Sequence, residues 1–178
     1  MNKCPISYVA CGDQKYAREG LQLLNRNLTA LLDFPYSASE QRYEASQRMM
    51  RMSIQGVQPK LSAVLNTRKQ TFDLVETGGR FIIKPPHNIY GQMPENEDLT
   101  MRLAALIGIE TPLHGMMWCK DGSLSYFIKR FDRLGRHNKL AVEDFAQLAG
   151  LSRETKYDYT IRSKDLPVLR HSMASRGL

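Results

Sequence analysis

A lysine closes the β-prone run Phe81-Ile82-Ile83-Lys84, and beyond a loop rich in Pro, Gly and Asn come three carboxylates, Glu95, Glu97 and Asp98. A lysine held by a helical carboxylate can set a fixed positive charge against phosphate oxygens. Which of the three carboxylates faces the lysine is open at this level. Upstream, Ser53-Ile54-Gln55-Gly56-Val57-Gln58-Pro59-Lys60-Leu61-Ser62 holds a turn glycine just ahead of another β-prone run. It matches neither the Walker pattern nor GxGxxG, so by generic rules it reads as a plain β-turn. Metal and thiol chemistry find less support. Cys4, Cys11 and Cys119 are odd in number and lack CxxC spacing, and His87, His114, His137 and His171 are dispersed, so no metal is assigned to them.

The elements that must position these residues follow from periodicity. Leu21, Leu24, Leu28, Leu31 and Leu32 recur at three- and four-residue steps, which predicts a helix over residues 17–32 ended by Pro35. Ser37 and Glu40 have capping-box spacing for a second, more polar helix running to Met50. Met49, Met50 and Met52 are read as packing residues. From Leu61 the period falls to two. Residues 61–65, 71–75 and 80–84 read as short strands separated by Asn66–Lys69 and by Gly78-Gly79, and the natural connection is an antiparallel meander. Leu99, Leu103, Leu106 and Ile107 mark the expected buried face of a helix from Asn96 to Ile107, closed by Gly108. Two more strands flank the Asp121-Gly122 turn, and a last helical segment has Val142, Phe145 and Leu148 as its inward residues.

Composition sets the bounds. The 178 residues, 42% hydrophobic and 24% charged, fit one soluble domain or two small lobes. No apolar run is long enough for a membrane helix or a secretory signal, so a cytoplasmic location is expected. The net charge of +7 invites a nucleic-acid reading, but residues 161–178 carry Arg162, Lys164, Arg170 and Arg176 against Asp165 alone. The body is only mildly basic, and direct nucleic-acid binding is not expected.

The order of elements is a glycine-containing turn, three strands with Lys84 ending the third, an acidic helix and two further strands. That is the plan of a kinase small lobe, in which a loop covers the ATP phosphates, a third-strand lysine contacts them and a helix glutamate holds the lysine. The Ser53–Ser62 segment closely resembles the phosphate-binding loop of HipA-family kinases. Phe81–Pro85, Pro94–Met101, Phe127–Arg133 and Glu143–Gly150 resemble further family blocks, in the family's order. The opening Cys4-Pro5-Ile6-Ser7-Tyr8 resembles the short form, HipT. The resemblance covers nearly everything from Cys4 to Tyr159. It implies an α+β fold: a kinase-like N-terminal small lobe with a five-stranded antiparallel sheet, N-terminal helices and an incomplete second lobe.

The resemblance also implies a serine/threonine kinase toxin of a type II toxin–antitoxin system that phosphorylates an aminoacyl-tRNA synthetase under control of antitoxin partners. Ser53, Gln55, Gly56, Val57 and Gln58 would then lie in the loop over ATP. Lys84 would contact its phosphates and Glu97 would hold Lys84. Lys129-Arg130-Phe131 would be the segment joining the lobes, whose backbone hydrogen-bonds adenine; Lys129 stands where HipA has Glu. Ser53 would be an autophosphorylation site whose dianion disfavours ATP. Gln55 replaces the second serine of some relatives.

A kinase also needs an aspartate to orient the substrate hydroxyl and another to hold Mg²⁺, and the family carries both in its larger lobe. After Lys84 this sequence offers Asp98, Asp121, Asp132, Asp144, Asp158 and Asp165, each read as a helix start, turn, ion pair or tail residue. Asp132 is expected to pair with Arg130 or Arg133. The expected organisation is an N-terminal helical segment (1–52), a small lobe (53–132), the start of a truncated large lobe (133–159) and a basic, ill-ordered tail (160–178) outside the resemblance. A disrupted gene and a chain without phosphoryl transfer are the expectations that follow, with Mg²⁺ needed only in the complete kinase.

Overall fold

The computed structural model describes residues 2–48, 58–135, 138–148, 150, 151 and 155. Ser53, Gln55, Gly56, Val57 and Met49, Met50 and Met52 lie outside the described residues, as do residues 160–178. In chain order the elements are β1 (Asn2–Lys3), β2 (Ala10–Gly12), α1 (Arg18–Leu24), α2 (Ala38–Arg48), β3 (Leu61–Asn66), β4 (Thr71–Leu74) and β5 (Phe81–Lys84). They continue with α3 (Met93–Leu106), β6 (His114–Trp118), β7 (Leu124–Lys129), β8 (Arg133–Leu134), β9 (Asn138–Lys139) and α4 (Phe145–Leu148).

The fold is α+β, built on a five-stranded antiparallel sheet of the kinase small-lobe type with strand order β4-β3-β5-β7-β6. The three-strand meander is corrected here, because β3 and not β4 is central. After β4 the chain crosses the end of β3, where Val75 N–H donates to Ser62 O and Arg80 N–H to Ala63 O. Gly79 makes the crossing close: a Cβ there would lie 1.9 Å from Ser62 Oγ and 3.2 Å from the Ala63 nitrogen. The spacing that suggests a simple hairpin therefore serves a tight crossover onto β3's other edge.

One sheet face carries the core. Phe72, Phe81 and Phe127 meet with ring centroids 5.1 to 6.1 Å apart, beside buried Leu61, Ala63 and Ile83. The N-terminal segment and α2 complete this cluster through Leu28, Leu31, Phe34 and Ala45. Ser37 and Glu40 form the expected capping box: Ser37 N–H donates to Glu40 Oε2 at 2.7 Å and Glu40 N–H to Ser37 Oγ at 3.3 Å. A buried polar triad locks α2 to the sheet. Gln41 Nε2 donates to Cys119 Sγ at 3.2 Å, and Ser125 Oγ donates to Gln41 Oε1 at 2.8 Å.

Two helical stripes do not behave as their spacing predicts. The first helix stops at Leu24, because Asn25 adopts extended backbone and its side chain accepts from Asn27 N–H, an Asx turn that competes with the helix. Leu28 and Leu31 are still buried, though in an irregular segment, and Leu32 is exposed. In α3 the buried residues are Pro94 and Asp98, whereas Leu99, Leu103, Leu106 and Ile107 are 50 to 81% exposed. The helix buries its polar side because that side carries the ion pairs described below. Gly108 closes α3 with φ +84, as its position predicts. Val142, expected inside, is exposed, Leu148 is half-buried, and the Phe145 side chain lies outside the described set. Among the described residues no helix is long and apolar enough to cross a membrane.

Candidate nucleotide-binding cleft

The second face of the sheet carries α3, which packs on β6 and β7. Strand register determines what it meets. Ser62, Ile82, Ile128 and His114 stand in one row across β3, β5, β7 and β6, and Lys84, Tyr126 and Met116 form a row two residues along β5 and β7. Side chains two apart on a strand share a face, so Ile82 and Lys84 point the same way. Pro85-Pro86 ends β5 directly after the lysine.

Lys84 Nζ lies 2.5 Å from Glu97 Oε2, with the two side chains 24% and 23% exposed. The ammonium also sits 5.7 Å from the centroid of the Tyr126 ring, whose negative face adds a second attraction. Burial raises the Tyr126 phenol's pKa, and the charges of Glu97 and Asp98 reinforce the rise. Beside this pair opens a cavity of about 340 Å³, walled by Met93, Asn96, Glu97 and Met101 of α3 and by Lys84, Tyr126 and Ile128 of the sheet. The volume falls within the range of small-molecule sites, which are mostly apolar with a few placed polar groups.

The two competitors for Lys84 are turned elsewhere. Asp98 is fully buried and binds Arg102 Nε at 2.7 Å and His114 Nδ1 at 2.8 Å. Burial alone would raise the Asp98 pKa, but the His114 and Arg102 hydrogen bonds outweigh it and hold the carboxyl below the usual carboxylate value. Glu95 is exposed in the first turn of α3, where its charge favours the positive end of the helix.

At the far end of β7, Lys129 N–H donates to Leu113 O at 2.7 Å and Arg130 N–H to Arg80 O at 2.8 Å. Those amides are used within the sheet. Phe131 follows, 62% exposed, and no partner is found for its amide among the described residues. Arg130 grips Asp132 through two bonds of 2.9 and 2.7 Å, lowering the Asp132 pKa, while Arg133 lies 3.7 Å away. Arg80 also donates to Gly135 O, tying this segment back to β5. Gln58 is half-buried at a bend leading into β3.

The structure thus brings Lys84 and Glu97 together, whereas Lys129 shares strand parity with core Phe127 rather than with cleft-lining Ile128, and Phe131 follows beyond the end of β7. Tyr126, Ile128 and Met101 complete the cleft, with Ile82 beside Ile128 on the same sheet face, and motif reading does not find them. Their signal was present in strand alternation, since Ile82 shares parity with Lys84, but register is needed to align β7. The aspartates after Lys84 that are described all have structural partners: Asp98 and Asp132 as above, Asp121 in its turn accepting from Ser123 and Ala38, and Asp144 capping α4 through Gln147 N–H. Among the described residues no group of three His, Cys, Asp or Glu side chains is placed to hold a metal ion.

Comparison with known proteins decides the family. The family model for the HipA-like C-terminal domain matches residues 52–176. The chain belongs to the HipA-like family. That match runs past Tyr159, at which the block-by-block resemblance stops. A Haemophilus influenzae protein named "Putative kinase" is 33% identical over 122 residues, covering 66% of this HipA-like chain and 35% of its own length. A Sinorhizobium fredii protein named "Putative kinase Y4dM" is 34% identical over 140 residues, 71% of this chain and 34% of its own. The chain spans about a third of the length of these curated relatives.

Proposed function

We propose that this chain is the nucleotide-binding half of a HipA-type serine/threonine kinase, most like HipT, that it binds ATP, and that on its own it transfers no phosphoryl group. The observation that carries the reading is the Lys84–Glu97 pair at the wall of a mostly apolar cavity. A lysine so held supplies positive charge to phosphate oxygens without having to be ordered on binding. Ile82 and Ile128 offer an apolar surface for a base, and the Phe131 amide is the donor left for its edge. Ser53, Gln55, Gly56, Val57 and Gln58 complete the phosphate side in this reading, with Ser53 as the regulatory phosphosite.

The absence of transfer rests on residue content, because the described aspartates that could serve as base or metal ligand are held in structural contacts. Membership of the HipA-like family supports the wider setting: a cytoplasmic toxin–antitoxin kinase, antitoxin proteins as partners and an aminoacyl-tRNA synthetase as substrate of the complete enzyme. The test is displacement of a fluorescent ATP analogue by ATP, with γ-labelled ATP incubated alongside. Saturable binding that Lys84→Met weakens, with no label transferred, is the expected result. Transfer of label by this chain alone, or binding indifferent to Lys84→Met, would overturn the reading.

A further inference from the structure

Glu97 can meet Lys84 only if α3 is held at one rotation about its axis; His114 on β6 holds Asp98 from within the matched domain, and a second set of contacts comes from outside it. Arg102, one turn beyond Asp98 on α3, sends Nη2 to the Ile6 carbonyl at 2.8 Å, and its guanidinium lies 3.7 Å from the centroid of the Tyr8 ring. Tyr8 also stands close enough to Asp98 to interact with the buried carboxylate. Ile6 and Tyr8 belong to a tight turn, closed by Cys4 N–H to Val9 O and Tyr8 N–H to Cys4 O, each 2.9 Å. The turn is itself fixed to the edge strand: Met116 N–H donates to Pro5 O at 3.0 Å, and a Cβ on Gly115 would come within 3.1 Å of the Ile6 Cα.

Tyr8 has φ +60, a left-handed conformation that a bulky side chain adopts only when its surroundings impose it. The two backbone bonds that close the turn and the stack on Arg102 hold it there together. The turn precedes residue 52, where the family match begins. We infer that the N-terminal turn Cys4–Val9 is a positioning element for the nucleotide site: through Tyr8, Arg102 and buried Asp98 it sets the rotation of α3 that presents Glu97 to Lys84. None of these residues lines the cavity, so they act through the Lys84–Glu97 pair. The inference rests on the proposed nucleotide site and deepens it.

The test compares affinities for ATP and adenosine in the full chain, since only ATP carries the phosphates that Lys84 would meet. Asp98→Asn keeps the side-chain size and removes the charge; it is expected to lower the preference for ATP over adenosine about tenfold, the scale of one charged hydrogen bond. Tyr8 is 40% exposed, so Tyr8→Ala keeps the core intact and carries the test if Asp98→Asn fails to fold. It is expected to lower the preference in the same direction, by less. A merely structural role would weaken both ligands together and leave their ratio unchanged. An unchanged ratio in the folded variants, where Lys84→Met abolishes it, overturns the inference alone.

If the unmodified chain shows no preference for ATP, the nucleotide reading falls, and the clamp is then judged without ligand. The ¹⁵N resonance of the Lys84 ammonium should shift in Tyr8→Ala in the direction set by Glu97→Gln. A resonance that stays at its original position overturns the clamp.

Discussion

Replacing Glu97 by Gln keeps the shape of the side chain and removes one charge from the pair it forms with Lys84. Two unit charges about 4 Å apart attract by roughly 4 kcal/mol at an effective dielectric of about 20. Desolvation offsets much of that, and each side chain here retains about a quarter of its exposure. The pair therefore falls between exposed pairs, worth about 0–1 kcal/mol, and buried pairs, whose breakage costs about 3–5 kcal/mol. A loss of about 1–2 kcal/mol is expected, or roughly 2–8 °C in melting temperature for a chain of this size. Lys84 keeps its contact with the Tyr126 ring, so the loss should not reach the buried-pair figure.

The control is Lys15→Met, which breaks the Lys15–Asp33 pair, 54% and 35% exposed. It should cost less than about 1 kcal/mol. Raising salt to about 1 M, where the screening length is about 3 Å, should erase the Lys15→Met effect and leave most of the Glu97→Gln effect. Thermal melts followed by circular dichroism at low and high salt would read both. A Glu97→Gln melt indistinguishable from that of the unmodified chain, or a loss as salt-sensitive as the control, would refute the reasoning.

Stability should also fall in acid through Asp98. Its folded pKa is depressed, so its contribution is fully present above the unfolded value and is lost as pH drops through the folded one; Asp98→Asn should flatten that limb of a urea-midpoint profile against pH. Ser125→Ala leaves Gln41 Oε1 buried without its 2.8 Å donor and should cost about 1–3 kcal/mol, read as a lower urea midpoint with unchanged slope. Gly79→Ala sets a Cβ against Ser62 and the Ala63 backbone and should cost about 1–3 kcal/mol, with Ser62→Ala in the same chain recovering part of the loss in thermal melts.

Much of the sheet was legible because period-two runs and the Asp121-Gly122 turn are local signals. The position of β3 between β4 and β5 was not, since turn residues at Gly78-Gly79 serve a hairpin and a crossover equally well. Leucine spacing misled twice. In α1 the Asx turn at Asn25 ends the helix while Leu28 and Leu31 still reach the core. In α3 the apolar stripe faces outward because Asp98, Arg102 and Glu97 have partners on the inner side, and partners from distant segments leave no trace in helical periodicity. Lys84 was legible as a strand-end cation. Its choice of Glu97 over Asp98 was fixed by His114 on β6 and Tyr8 in the N-terminal turn, contacts that only the fold assembles.

The most direct measurement is an ATP titration of the isotope-labelled chain followed by NMR. The account predicts saturable shifts concentrated at Ile82, Lys84, Glu97, Tyr126, Ile128 and the Phe131 amide, with Lys84→Met weakening the titration. Shifts absent at these residues, or concentrated on a different surface, would contradict it.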